Sequence, residues 1–307
     1  GYTPADFFET GHVYTNAVTV SGGTDKNQTY FSAASVNSDG IIPNNEYDRY
    51  NFTFRNTSYF LKDKLRLDAS ASYIYQKDQN MTNQGVYSNP LVPAYLFPRG
   101  DDFDNVRLYQ RWDESRNLYT QAWDYGSGDM SFQNPYWIMN KMINQTKKRR
   151  YMLSANLKYD VTDWLDVTGR VKVDNADMDI TEKRYAGTDT NFAGEKGMYS
   201  IIKRNDRQIY ADAIANIDLT FAGDYHLSAN VGASLKDVRM DFMGWGGDLR
   251  KIPNFFSITN ISTTNYKERE DGSHIQSQSI FANVELAWKS MLYLTVTGRN
   301  DWSSTLA

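Results

Sequence analysis

Between Lys64 and Gln76 every second residue is apolar: Leu65, Leu67, Ala69, Ala71, Tyr73 and Tyr75 share one face, and Arg66, Asp68, Ser70 and Ser72 share the other. The same period returns over 149–161, where Tyr151, Leu153, Ala155, Leu157, Tyr159 and Val161 oppose Ser154, Asn156, Lys158 and Asp160. It returns again over 225–237, where Tyr225, Leu227, Ala229, Val231, Ala233 and Leu235 oppose His226, Ser228, Asn230, Ser234 and Lys236. Similar runs lie at 164–174, 208–221, 279–289 and 292–299, with weaker ones at 12–20, 28–37 and 50–60. Strict alternation predicts strands with one apolar and one polar face. The apolar faces are rich in Ala and Gly, which makes a poor interlocking core and an adequate lipid-facing wall.

The breaks have an order of their own. Short turns are predicted at Gly22–Lys26, Leu61–Asp63, Thr162–Asp163, Ala222–Asp224 and Lys289–Ser290. Long connections are predicted at roughly 76–148, 176–207 and 238–278, with a shorter one at 38–49. Short and long therefore alternate along about ten strands, as in an up-and-down membrane barrel with its turns at one end and its loops at the other. Strands of about nine to eleven residues suit a tilted span of the hydrocarbon layer, whereas globular strands run about five or six. Aromatic residues gather at the strand ends: Tyr50, Tyr59, Phe60, Tyr151, Tyr159, Trp164, Phe221, Tyr225, Trp288 and Tyr293. That is the distribution of interfacial girdles. The predicted fold class is all-β, an antiparallel up-and-down transmembrane β-barrel, incomplete in this chain. A soluble β-rich carbohydrate-binding module and a passive porin-like barrel are the alternatives.

Composition narrows the field. The 307 residues carry a net charge of −4 and no Cys, and the mean hydropathy is −0.63. No stretch approaches the roughly 18 apolar residues that a spanning helix needs. Mild acidity speaks against a nucleic-acid binder, and without Cys there is neither a disulfide nor a thiolate ligand. Gly1-Tyr2-Thr3-Pro4 has neither the basic nor the apolar region of a signal peptide. Either the protein stays inside the cell or the chain begins after processing or truncation; the alternating run before Ala307 has no closing element, so the sequence reads as a fragment.

Candidate chemistry is sparse. His12, His226 and His274 have no metal-ligand spacing, and no nucleophile elbow supports a Ser/His/Asp triad, so no enzyme and no cofactor is expected. Gly126-Ser127-Gly128 and Gly244-Trp245-Gly246-Gly247 lack the strand-to-helix setting of a phosphate loop and read as flexible loops. Asp101, Asp102 and Asp104 supply hard oxygens for a calcium-stiffened loop but lack the EF-hand spacing. Lys147-Lys148-Arg149-Arg150, at a strand's outer end, is placed at lipopolysaccharide phosphates or the headgroup region. Asn-x-Ser/Thr triplets such as that at Asn260 follow from composition and carry no weight as glycosylation sites.

The long 76–148 connection is the most function-like feature. A connection this long usually binds something or folds as a lid. Tyr109, Trp112, Trp123, Tyr125 and Trp137, together with Trp245 of the 238–278 loop, are the candidate substrate-binding aromatics. Flat rings beside amides and carboxylates suit sugar rings, and suit peptides almost as well; packing of the loops against each other explains the same residues. On the polar faces Arg66, Asp68, Arg170, Lys172, Asn230 and Lys236 are predicted to line the lumen.

Several segments in order resemble a known family. Asn16–Lys26 with its Ser21-Gly22-Gly23 turn, then Tyr30-Phe31-Ser32, Asp39-Gly40-Ile41 and Arg49-Tyr50-Asn51, are similar to the barrel start of SusC/RagA-type TonB-dependent transporters of Bacteroidetes. Asn134-Pro135-Tyr136-Trp137 and Gly298–Ser304 also resemble recurring segments of that family. The resemblance implies that residues 1–11 leave a plug domain and that 12–307 form about the first ten strands of a 22-stranded outer-membrane barrel. It also implies a SusD-like surface lipoprotein as lid, energy coupling to TonB through a plug and TonB box that this chain lacks, contact with outer-membrane lipid, and oligosaccharide or, in RagA-type importers, peptide as cargo.

Overall fold

The computed structural model describes residues 1–83, 85–125 and 132–305, so Gly126-Ser127-Gly128 lies outside the described residues. Ten antiparallel strands form one sheet in the order β1 (His12–Thr24), β2 (Asn27–Asp39), β3 (Glu46–Phe60), β4 (Leu65–Gln79), β7 (Met142–Thr162), β8 (Leu165–Tyr185), β9 (Gly197–Phe221), β10 (Tyr225–Leu249), β11 (Ile261–Trp288) and β12 (Leu292–Ser303). Every strand pairs with its neighbour in sequence, apart from the excursion between β4 and β7. That excursion holds α1 (Leu91–Leu96), α2 (Asp104–Arg107), the hairpin β5 (Gln110–Asp113) and β6 (Leu118–Gln121), and α3 (Pro135–Lys141).

The short turns sit where the punctuation residues predict. Gly23 has φ +155°, and a Cβ there would lie 2.1 Å from the Asn27 carbonyl oxygen, so the first hairpin admits only glycine. The last is a three-residue connection, 289–291, with Lys289 and Ser290 both at positive φ and the Met291 N–H donating to the Trp288 carbonyl at 3.0 Å.

Register makes the apolar face continuous. Leu67, Leu157, Gly169, Ala213, Ala233 and Ile280 lie side by side across six strands. On β10 the face runs from Tyr225 to Leu235 before Asp237 interrupts it. Ten residue steps at about 3.4 Å and a tilt of about 40° cover roughly 26 Å, the height of an outer-membrane barrel's apolar band. Its turn-side border is aromatic: Phe221 and Tyr225 stack at 5.5 Å, and Trp288 pairs across from Tyr225. Tyr50 and Tyr75, 6.3 Å apart, mark the opposite border.

The strands outrun that band. β9, β10 and β11 have 25, 25 and 28 residues, and the connections shrink to 186–196 and 250–260. The predicted loops 176–207 and 238–278 are therefore mostly sheet. Above the band both faces meet water, so alternation fades while the backbone ladder continues. Lys147 and Arg149 point to the outer face there, and Arg149 is ion-paired with Asp179.

Candidate functional site

The polar face carries its own transverse rows. Thr57, Asp68, Asn156, Arg170, Asp212, Ser234, Ser279 and Asp301 face one another across eight strands. The row above contains Arg55, Ser70, Ser154, Lys172, Tyr210, Lys236, Ser277 and Ser303. All six predicted polar-wall residues, Arg66, Asp68, Arg170, Lys172, Asn230 and Lys236, thus share the face opposite the apolar band.

Much of this charge is internally matched. Arg170 forks onto Asp212, with Nε 2.9 Å from Oδ1 and Nη2 2.7 Å from Oδ2, and the Asp212 side chain has 0% exposure. Sequence reading did not single out Asp212; its signal was an acid in register with Arg170 on the next strand. Asp68 accepts from Thr57 Oγ1 at 2.7 Å and pairs with Arg66 at 3.0 Å. Lower on the wall, Asn230 donates to Asn216 at 2.8 Å, and Asn216 donates to Asp166 at 2.7 Å.

At the rim, the long β4–β7 excursion is a small folded body. Asn134 caps α3: its side-chain oxygen accepts from the Tyr136 N–H at 2.9 Å, and Pro135 occupies the first turn, where its missing donor costs nothing. The cap's amide also reaches the Val106 and Ala122 carbonyls. The helix drives Trp137 into a core of Phe7, Phe97, Phe103, Val106, Ile138 and Met139. A staple fixes the excursion to the wall. Buried Asn80, at φ +53°, donates to the Asn44 and Met139 carbonyls and accepts from the Asn144 N–H.

The candidate aromatics divide accordingly. Trp137 has 0% exposure and its Nε1 donates to Thr188 Oγ1 at 3.0 Å, so it is a core residue and not a ligand contact. Tyr109, Trp123 and Tyr125 pack against the same core, where Phe97 and Tyr125 meet at 4.8 Å. Trp112 stays open at 50% exposure, edge-to-face with Tyr119 (51%) at 5.1 Å on the β5–β6 hairpin. Trp245 lies within β10, in register with Ile201 and Glu268, and is not part of the rim core. The Gly244–Gly247 run is thus strand and not a flexible loop, because its backbone is paired on both sides.

The acidic candidates do not converge. Among the described residues no three acidic or imidazole groups are placed to hold a metal ion. Asp102 instead accepts from the Asp104 backbone N–H at 3.0 Å, and Asp104 pairs with Arg107. His274 binds Asp237 at 2.7 Å, His226 approaches Thr220, and His12 stacks beside Tyr14.

Residues 1–11 sit at this same end. The Tyr2 hydroxyl donates to the Ala94 carbonyl at 2.7 Å, Tyr2 stacks on Phe103 at 4.0 Å, and Phe7 meets Tyr136 at 5.3 Å. Burial first, and the Asp6 carboxylate next, push the Tyr2 phenol up to about 12 from its ordinary 10.0. The folded state thus holds the extra proton, so this stabilisation is full below pH 10 and is lost as pH rises from 10 through about 12. A rise from pH 9 to 12 is expected to loosen this segment, read by protease access to 1–11. Tyr2→Phe should blunt that response; an unaltered pH profile in the variant would refute the assignment.

No family model matches the chain. A TonB-dependent receptor of Formosa agariphila is 22% identical over 304 residues, a stretch covering 96% of this chain and 28% of that receptor. A chain of the RagAB peptide transporter superposes with a TM-score of 0.76 at 14% identity, covering 96% of this chain and 32% of its own length. The ferripyoverdine receptor of the outer membrane of Pseudomonas aeruginosa follows with a TM-score of 0.54 at 11% identity, over 96% of this chain and 36% of its own. The chain therefore spans about a third of the length of the proteins it matches. The resemblance read from the sequence holds: this chain is similar to TonB-dependent receptors, and its fold is part of their β-barrel wall.

Proposed function

We propose that this chain forms part of the wall and outer rim of an outer-membrane, TonB-dependent nutrient importer of the SusC type. The apolar band of membrane height backed by a polar, ion-paired face carries this reading. In it the band meets lipid, the rows containing Asp68, Arg170 and Lys236 line the lumen, and the long connections face the medium. The similar proteins are receptors and transporters. Oligosaccharide is the cargo of the primary reading. Peptide is the second, favoured by the fold likeness to a peptide transporter. Residues 1–11 enter β1 from the rim, so a plug preceding them would join the wall through the rim core.

A SusD-like lipoprotein is proposed to close over the rim. The β5–β6 hairpin offers it an exposed aromatic pair, Trp112 and Tyr119, beside exposed Leu108. Exposed apolar clusters of this kind mark interaction surfaces, and aromatic anchors carry much of an interface's binding energy. Trp112→Ala with Tyr119→Ala is expected to weaken co-purification of the lid at least tenfold while the barrel keeps its resistance to unfolding. The importer reading itself is tested by deleting the full-length protein and following uptake and growth on defined glycans and peptides. Unchanged growth on every substrate would sink it.

A further inference from the structure

High on the polar side of the wall, the sheet is stripped of side chains at two alternate positions. Gly244 and Gly246 point to the same face as Lys236 and form the floor of a cavity of about 490 Å³. On one flank stand Ser200 and Ile202 of β9, directly opposite the two glycines; on the other stand Lys267 and Arg269 of β11. The 190–193 segment lies over the trough with Phe192. The floor has no spare room at its narrowest point: a Cβ on Gly246 would lie 2.9 Å from the Ser200 hydroxyl.

The charges around the trough are unevenly committed. Asp248 accepts from the Gly194 N–H at 2.8 Å, which ties the covering segment to the wall. Glu182 is ion-paired with Arg184. Arg269 is held by Asp271 at 2.9 Å and lies over the Phe242 ring at 5.1 Å, so its guanidinium is oriented with donors still open. Lys267 has no partner among the described residues. The acids are thus spent on the protein, whereas along one flank Lys267 and the remaining donors of Arg269 face the trough.

We propose that this trough binds an extended chain through a carboxylate, seated between Lys267 and Arg269, with the chain's backbone or sugar ring lying flat on the Gly244–Gly246 floor. An Arg and a Lys two residues apart on one face of a strand match a carboxylate by charge-assisted hydrogen bonds. A floor without Cβ atoms lets a flat ring or a peptide approach the sheet closely. The carboxylate belongs to a uronic-acid residue of an oligosaccharide or to the C-terminus of a peptide. This inference rests on the importer reading, whose cargo it narrows.

The test measures binding to the full-length receptor by calorimetry, using tetragalacturonate, trialanine, trialanine amide and maltohexaose. Wild type is compared with the double variant Lys267→Glu/Arg269→Glu and with Gly246→Val. Binding of tetragalacturonate, or of trialanine in preference to its amide, is expected, with affinity at least tenfold weaker in both variants. Which of the two probes binds identifies the source of the carboxylate. The inference is overturned if neither carboxylate probe binds, if the charge reversal leaves their affinity unchanged, or if maltohexaose binds the trough equally well. The substituted cations are exposed, and heat-resistant migration of each variant checks that the barrel has folded. Uptake assays on the same strains separate the two levels: transport that survives both variants leaves the importer reading intact and removes only this site.

Discussion

Trp137→Ala is expected to unfold the rim core at a cost of about 3–5 kcal/mol, the range for deleting a fully buried large aromatic. The indole fills the centre of the body built by Phe7, Phe97, Phe103 and Ile138, and its Nε1 is the donor for buried Thr188. Removing it opens a cavity and orphans that hydroxyl. Trp137→Phe should cost less, because most of the volume stays and only the hydrogen bond, worth about 1 kcal/mol, is lost outright. Because the wall is held by its own backbone ladder, the effect should be local. Limited proteolysis is expected to cut the 80–141 connection in Trp137→Ala while the strands stay protected. Equal protection of that connection in the variant and the wild type would show that Trp137 is not its keystone.

A single arginine at Val231 is expected to destabilise the inserted barrel by about 2–4 kcal/mol, the cost of a cation at the bilayer midplane on a lipid-facing position. Val231 lies midway between Tyr225 and Leu235, is 44% exposed, and is flanked in register by Ala215 and Ala282, none of which can pair with a charge. The neighbouring residue is the control. Asn230 faces the polar side, hydrogen-bonded to Asn216, and Asn230→Arg should cost no more than that bond, about 1 kcal/mol. Denaturant titration of the full-length protein in lipid vesicles reads both. Similar losses at the two positions would mean that the Val231 face does not meet hydrocarbon.

The division between these residues was legible before any coordinates. A period of two assigns Val231 and Asn230 to opposite faces, and it does so for every strand that crosses the band, because lipid on one side and water on the other impose the alternation. The turns were equally visible, down to Gly23, whose backbone geometry excludes a side chain. Asn134-Pro135 was readable as a segment, but its role as a helix cap that drives Trp137 inward was not.

What sequence pattern could not supply shares one cause: it lies where the environment no longer differs between the faces, or where contacts join residues far apart in the chain. Beyond the band both faces of β9, β10 and β11 are wet, so Trp245 and its flanking glycines lost their alternation and resembled a loop, although hydrogen bonds hold them in the sheet. Ring residues in the 76–148 connection looked alike; only packing against Phe7 and Thr188 made Trp137 core and left Trp112 outside. Thus the alternation determined, from the sequence alone, that this is a wall of antiparallel strands and which residues share its apolar face. The tertiary structure decided which charges are already matched, as Arg170 is by Asp212, and which stand open, as Lys267 does, because pairing depends on strand register.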